Sequence, residues 1–152
     1  MILLMVLNWF TSRKEFLDQF TDENKLKQAK RFLDSVDSNV FWLLIIMVVI
    51  SLLWCWFYYK PYNNKPGRHY IPKHWYSFGG ITFVVTFVAS LCALCFLIVP
   101  NPKFDLKFLL TVSLINSVYS IIVYIILSYL FCKFSSTNAY RQIFNKPIKK
   151  KK

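Results

Sequence analysis

The sequence predicts an all-α integral membrane protein: three transmembrane helices preceded by an N-terminal interfacial or amphipathic helical segment. Three observations predict it. Of 152 residues, 56% are hydrophobic, more than a soluble domain of this size normally carries. Residues 40–59, 78–99 and 108–132 contain no Asp, Glu, Lys, Arg or His. Each run holds about 20 residues or more, enough to span a hydrocarbon core at about 1.5 Å of rise per residue. Buried core helices of a soluble protein do not fit, because so short a chain has too little other protein to cover three rods that are apolar all round.

The chain divides into an N-terminal segment (1–39), a three-helix membrane domain (40–132) and a basic tail (133–152). The opening MILLMVLNWF supplies only ten apolar residues, about 15 Å of helix, so it reads as an interfacial or bundle-capping segment. No basic region precedes it and no small-x-small site closes it, as a signal peptide requires. Ser12 and Glu15 have capping-box spacing, and Thr21-Asp22-Glu23 forms a second helix start. Leu26, Ala29, Leu33 and Val36 then recur at i, i+3, i+7 and i+10, which predicts a short amphipathic helix. Asp37, Ser38 or Asn39 is expected to cap the membrane helix that follows.

The first span is bulky all round, with Ser51 as its lone polar residue. It suits either a lipid-facing outer helix or one wholly enclosed by partners. The loop after it, KPYNNKPGRHYIPKHWYS, carries Pro61, Pro66 and Pro72 and is expected to be an ordered, interface-hugging turn rather than a regular helix. Tyr70, Trp75 and Tyr76 fit an aromatic belt, as do Trp54, Trp56, Tyr58 and Tyr59. Basic residues among aromatics also occur in single-strand nucleic-acid sites, but beside two membrane spans the headgroup reading is simpler, and no nucleic-acid partner is expected. The second loop, PNPKFDLK, is short, so spans 2 and 3 form a tight antiparallel hairpin.

Charge gives an orientation. All seven carboxylates lie in the N-terminal segment or the second loop, where eight Lys and Arg leave a net +1. The first loop and tail carry eleven Lys and Arg and no acid, and so hold +11 of the total +12. The positive-inside rule then puts the C-terminus in the cytoplasm and the N-terminus outside or in a lumen. Lys60, Lys65, Arg68 and Lys73 of the first loop, with Lys149, Lys150, Lys151 and Lys152 of the tail, are the expected contacts to anionic headgroups. Lys149-Lys150 before two final residues also matches a dilysine retrieval address of a eukaryotic host.

Motifs of catalysis are missing from the sequence. The spans offer no ionisable group besides tyrosines and thiols, whereas proton relays and pumps generally need a buried carboxylate, His or Lys. His69 and His74 share a loop without a third ligand, so no metal is expected. Cys92 and Cys95 form a C-x-x-C inside span 2 with no second pair, which favours packing over zinc or redox chemistry. Cys55 and Cys132 come to the same membrane face as apolar filler, with palmitoylation open to them in a eukaryote. No cofactor is expected.

Two stripes remain. At about 100° per residue, Ser113, Asn116, Ser117, Ser120, Tyr124 and Ser128 share one face of span 3, opposite Ile115, Val118, Ile122, Ile125 and Ile126. In span 2, Gly79, Thr82, Thr86, Ala89 and Ala93 gather likewise, with Ser90 at the edge, against Phe83, Phe87, Leu91 and Leu94. Helices in lipid associate through close approach at small residues and interhelical hydrogen bonds, so both stripes are packing surfaces. They meet each other, with Asn116 donating to a Thr or a backbone carbonyl, or meet neighbouring subunits, or line a pore in a ring of copies. The function expected is a small non-catalytic integral membrane subunit or anchor, partnered by lipid and by other membrane subunits or copies of itself. The alternative is a homo-oligomeric channel or membrane effector lined by the Ser/Asn face.

Overall fold

The computed structural model describes residues 17–19, 21–63, 72–99 and 105–134, and among these every regular element is helical. The expectations placed on residues 1–16, Lys65, Arg68, His69, Tyr70 and Lys149, Lys150, Lys151 and Lys152 lie outside the described residues.

Helix α1 (Glu23–Ser38) starts where Asp22 adopts an extended conformation and its Oδ1 accepts the Asn24 N–H at 3.0 Å. Its buried face is Ala29, Phe32, Leu33 and Val36. Phe32 belongs to the periodicity although Leu26, only half-buried, was expected to lead it. Asn39 separates α1 from α2 (Val40–Phe57), occupying the cap position without capping forward. Its Nδ2 donates backwards to the Ser35 carbonyl at 2.9 Å, and its backbone N–H to Val36 at 3.2 Å, so it closes α1 rather than opening α2.

α2 runs on through a π-helical turn, Tyr58–Tyr62, that contains Pro61, correcting the expectation that helix ends before the loop prolines. Proline has no N–H to give to the turn, and the wider turn absorbs the mismatch. Asn63 then donates both its N–H (3.2 Å) and its Nδ2 (2.8 Å) to the Tyr58 carbonyl. α3 begins at Pro72, where a missing N–H costs nothing, and extends to Ala93, so His74, Trp75 and Tyr76 are helical instead of loop. A second π turn, Leu94–Ile98, finishes it, and Val99 is extended, as the residue before Pro100 should be. α4 (Leu106–Phe134) is capped by Asp105, whose Oδ1 accepts the Phe108 N–H at 2.9 Å.

Three helices, Val40–Tyr62, Lys73–Ile98 and Leu106–Cys132, are long and apolar enough to cross a membrane. They form one bundle. α2 and α4 touch at Leu43 with Asn116, Cys55 with Ser128 and Tyr59 with Cys132, the same offset of 73 residues each time, which makes them parallel and in register. Over those sixteen residues the shared register covers about 24 Å. α3 is antiparallel to α4, because its contacts step backwards: Ser90 with Asn116, Gly79 with Tyr124, Trp75 with Ser128.

The interior has three tiers. At one end α1 lays Ala29, Phe32, Leu33 and Val36 over Leu43, Leu94, Leu109 and Val112, with Phe32 edge-on to Phe108 at 5.6 Å. At the other, Tyr58, Tyr59, Phe78 and Tyr124 pack with Cys55 and Cys132. Between them lies a layer of hydroxyls and one amide.

Candidate functional site

Buried residues step by four along each long helix: Leu43, Met47, Ser51 and Cys55 on α2, Phe78, Thr82, Thr86, Ser90 and Leu94 on α3, and Asn116, Ser120, Tyr124, Ser128 and Cys132 on α4. A four-residue step follows a surface ridge of the helix, so these rows are where neighbouring helices mesh. In the middle tier the rows carry small polar groups. Ser113, Asn116, Ser117, Ser120 and Ser128 have no exposed surface, nor do Ser51, Thr82, Thr86 and Ser90; Tyr124 is also buried.

Asn116 is the centre. Its Nδ2 donates to the Leu43 carbonyl of α2 at 3.2 Å and to Ser90 Oγ of α3 at 2.7 Å, so one amide ties all three helices. Ser51, the lone polar residue of α2, lies in the same tier: its hydroxyl contacts the Met47 carbonyl at 2.8 Å and the Ser120 carbonyl of α4 at 3.1 Å. Ser113, Ser117, Ser120 and Thr82 donate to carbonyls three or four residues back in their own helices. These four hydroxyls thus end on carbonyls of their own helices rather than on one another.

Towards the aromatic end the cross-links continue. Trp75 Nε1–H donates to Ser128 Oγ at 3.3 Å, the Tyr124 hydroxyl to the Trp75 carbonyl at 3.4 Å, and Cys55 Sγ lies 3.7 Å from Ser128 Oγ. Tyr59 OH and Cys132 Sγ are 3.0 Å apart. At the end of the α2–α3 pair, Tyr62 OH meets His74 Nδ1 at 3.0 Å, with the rings edge to face.

The two stripes therefore meet inside the chain. Gly79 and Ala89 are half-buried and Ala93 is buried, and a Cβ on Gly79 would touch the Tyr124 ring at 3.6 Å. Ser90, expected at the edge of its stripe, is instead at the centre. Leu94, expected on the opposite bulky face, is fully buried one turn beyond it, and Phe83, Phe87 and Leu91 are half-buried. The outward face of α3 is Gly80, Val84, Val88 and Cys92, so Cys92 takes no part in the packing within this chain, while Cys95 is half-buried against the α1 end. Val118, Ile122, Ile125 and Ile126 of α4 face outwards, with Ile115 half-buried.

Among the described residues no three of His, Cys, Asp and Glu come together as a metal would need. Lys60 and Lys73 are exposed at the aromatic end of the bundle. Sequence reasoning missed Ser51 and the Leu43 carbonyl as partners of the stripe. The first was visible as an isolated hydroxyl in an apolar run. No family model, curated protein or solved structure matches the chain.

Proposed function

We propose that this chain is a small, non-catalytic, multi-pass integral membrane subunit or anchor that packs its helices within a larger membrane assembly. The observation that supports it is how the mid-span polar groups are spent: Ser51, Thr82, Ser90, Asn116, Ser117 and Ser120 turn inward, and bonds of Ser51, Ser90 and Asn116 tie the three helices to one another, while Phe41, Trp42, Leu52, Leu53, Val84 and Ile122 face outward. Such a surface suits lipid and apolar helices of other chains, and offers no charged group for chemistry within the bilayer. The eleven Lys and Arg of the first loop and tail, Lys60 and Lys73 among them, favour by the positive-inside rule a cytoplasmic side for that end and attraction to its anionic headgroups. A pore lined by the Ser/Asn face would require the three helices to part and break the Asn116 bonds, so it is the weaker reading.

The decisive measurement is the mass of the intact complex extracted from its native membrane in mild detergent. Unlike chains alongside this one are expected. Recovery as a lone monomer would overturn the assembly, and a ring of identical chains would favour the pore.

A further inference from the structure

Two fully buried oxygens of the polar tier, Asn116 Oδ1 and Thr86 Oγ1, have no hydrogen-bond partner among the described residues. They belong to one cluster. Ser90, which accepts from Asn116 Nδ2 at 2.7 Å, lies one turn after Thr86 on the same buried row of α3. Thr82, one turn earlier, shows the usual recourse of such a hydroxyl by donating to the Phe78 carbonyl at 2.8 Å. Thr86 does not take it. An unmet polar atom in an apolar interior is costly, and two that both lie within about one helical turn of Ser90 call for a shared partner.

The surroundings limit what that partner is. The Leu43 and Ser117 carbonyls each accept a side-chain donor, and the single Ser51 proton is shared between the Met47 and Ser120 carbonyls, so these oxygens are largely occupied and make a poor cation cage. The three apolar runs that form the tier carry no carboxylate. An apolar molecule would satisfy neither oxygen. What fits is a small neutral molecule able to donate to Asn116 Oδ1 while sharing a proton with Thr86 Oγ1.

We propose that the polar tier binds an internal water that bridges Asn116 Oδ1 and Thr86 Oγ1, walled off by the α1-capped end and the aromatic end of the bundle. Thr86 is then a water ligand, and its hydroxyl stabilises the fold through that molecule rather than through a helix.

The test uses the full chain in phosphatidylcholine vesicles. Magnetisation transfer from water to the Asn116 side-chain amide is expected in the wild type and should fall several-fold in Thr86→Val, which keeps the shape and removes the hydroxyl. The same substitution should lower the folding equilibrium constant by about five-fold or more, with Thr86→Ser close to wild type. Thr86→Val at or above wild-type stability would overturn the proposal, since removing an idle hydroxyl from an apolar site is neutral or favourable. If Thr86→Val does not fold, the wild-type spectrum decides: no transfer to the Asn116 amide sinks the idea.

Discussion

Asn116 makes the bonds that no other side chain duplicates, one to α2 and one to α3. Replacing it with Leu should loosen the bundle by about 1–2 kcal/mol, since interhelical hydrogen bonds in membranes average well under the values for isolated amides and the unmet Oδ1 leaves with them. Steric-trapping or thermal unfolding in detergent would read this, and an unchanged midpoint would mean that the amide ties nothing. The two adjacent glycines should part company. Gly79 faces Tyr124, so Ala is tolerated there at ordinary contact distance while Leu should displace the ring; Gly80 meets nothing, so Gly80→Ala should raise stability by up to about 1 kcal/mol through helix propensity. The position of Asn116 on a face with five hydroxyl-bearing residues was legible from a helical projection. Its acceptor on α2 was not, because a backbone carbonyl in an unbroken apolar run leaves no trace in the side-chain pattern. Ser90 was misplaced by a projection centred on small residues, whereas the buried row follows a strict four-residue step.

Among the elements, α1 and the helix ends carry the instructive differences. The amphipathic period of α1 was plain, and its face docks on the bundle end through Phe32 and Leu33. Phe32→Ala should therefore release α1 without melting the long helices: amide exchange over residues 23–38 should speed up at least tenfold, with residues 109–128 unchanged. Loss of protection in both regions together would show that α1 is integral to the bundle. The helix ends were misread where proline was taken as a stop. Pro61 is carried in a π turn and Pro72 at a first turn, places where the missing N–H does little harm, so α2 and α3 each reach several residues past the apolar runs. Composition marks where lipid would be, while backbone hydrogen bonding marks where helix ends, and these need not coincide.

For the whole molecule, three apolar helices, α2 and α4 parallel and α3 antiparallel to both, bring the end of α2, the start of α3 and the end of α4 together at the aromatic end. With eleven of the nineteen Lys and Arg on the first loop and tail, a reporter fused after Lys152 should be active in the cytoplasm and one fused to the N-terminus should not. The reverse result would invert the proposed topology. The count of three long apolar helices was readable because an uninterrupted charge-free run of about 20 residues suits a bilayer crossing and little else. The three-tier interior was not, since it depends on which turns of separate helices come level.

The constant stagger between α2 and α4 bears on how the chain is made. The backbone oxygen of Leu43 is synthesised 73 residues before the amide that claims it, and α3 must be delivered in between. In a bilayer, α2 would therefore have to settle on its apolar character alone, which its nearly hydroxyl-free surface allows. The last helix, interrupted by serine and asparagine, enters to find its binding groups already waiting. A chain stopped after α3 would thus be a hairpin whose Leu43 carbonyl and Ser90 hydroxyl lack the amide that joins them.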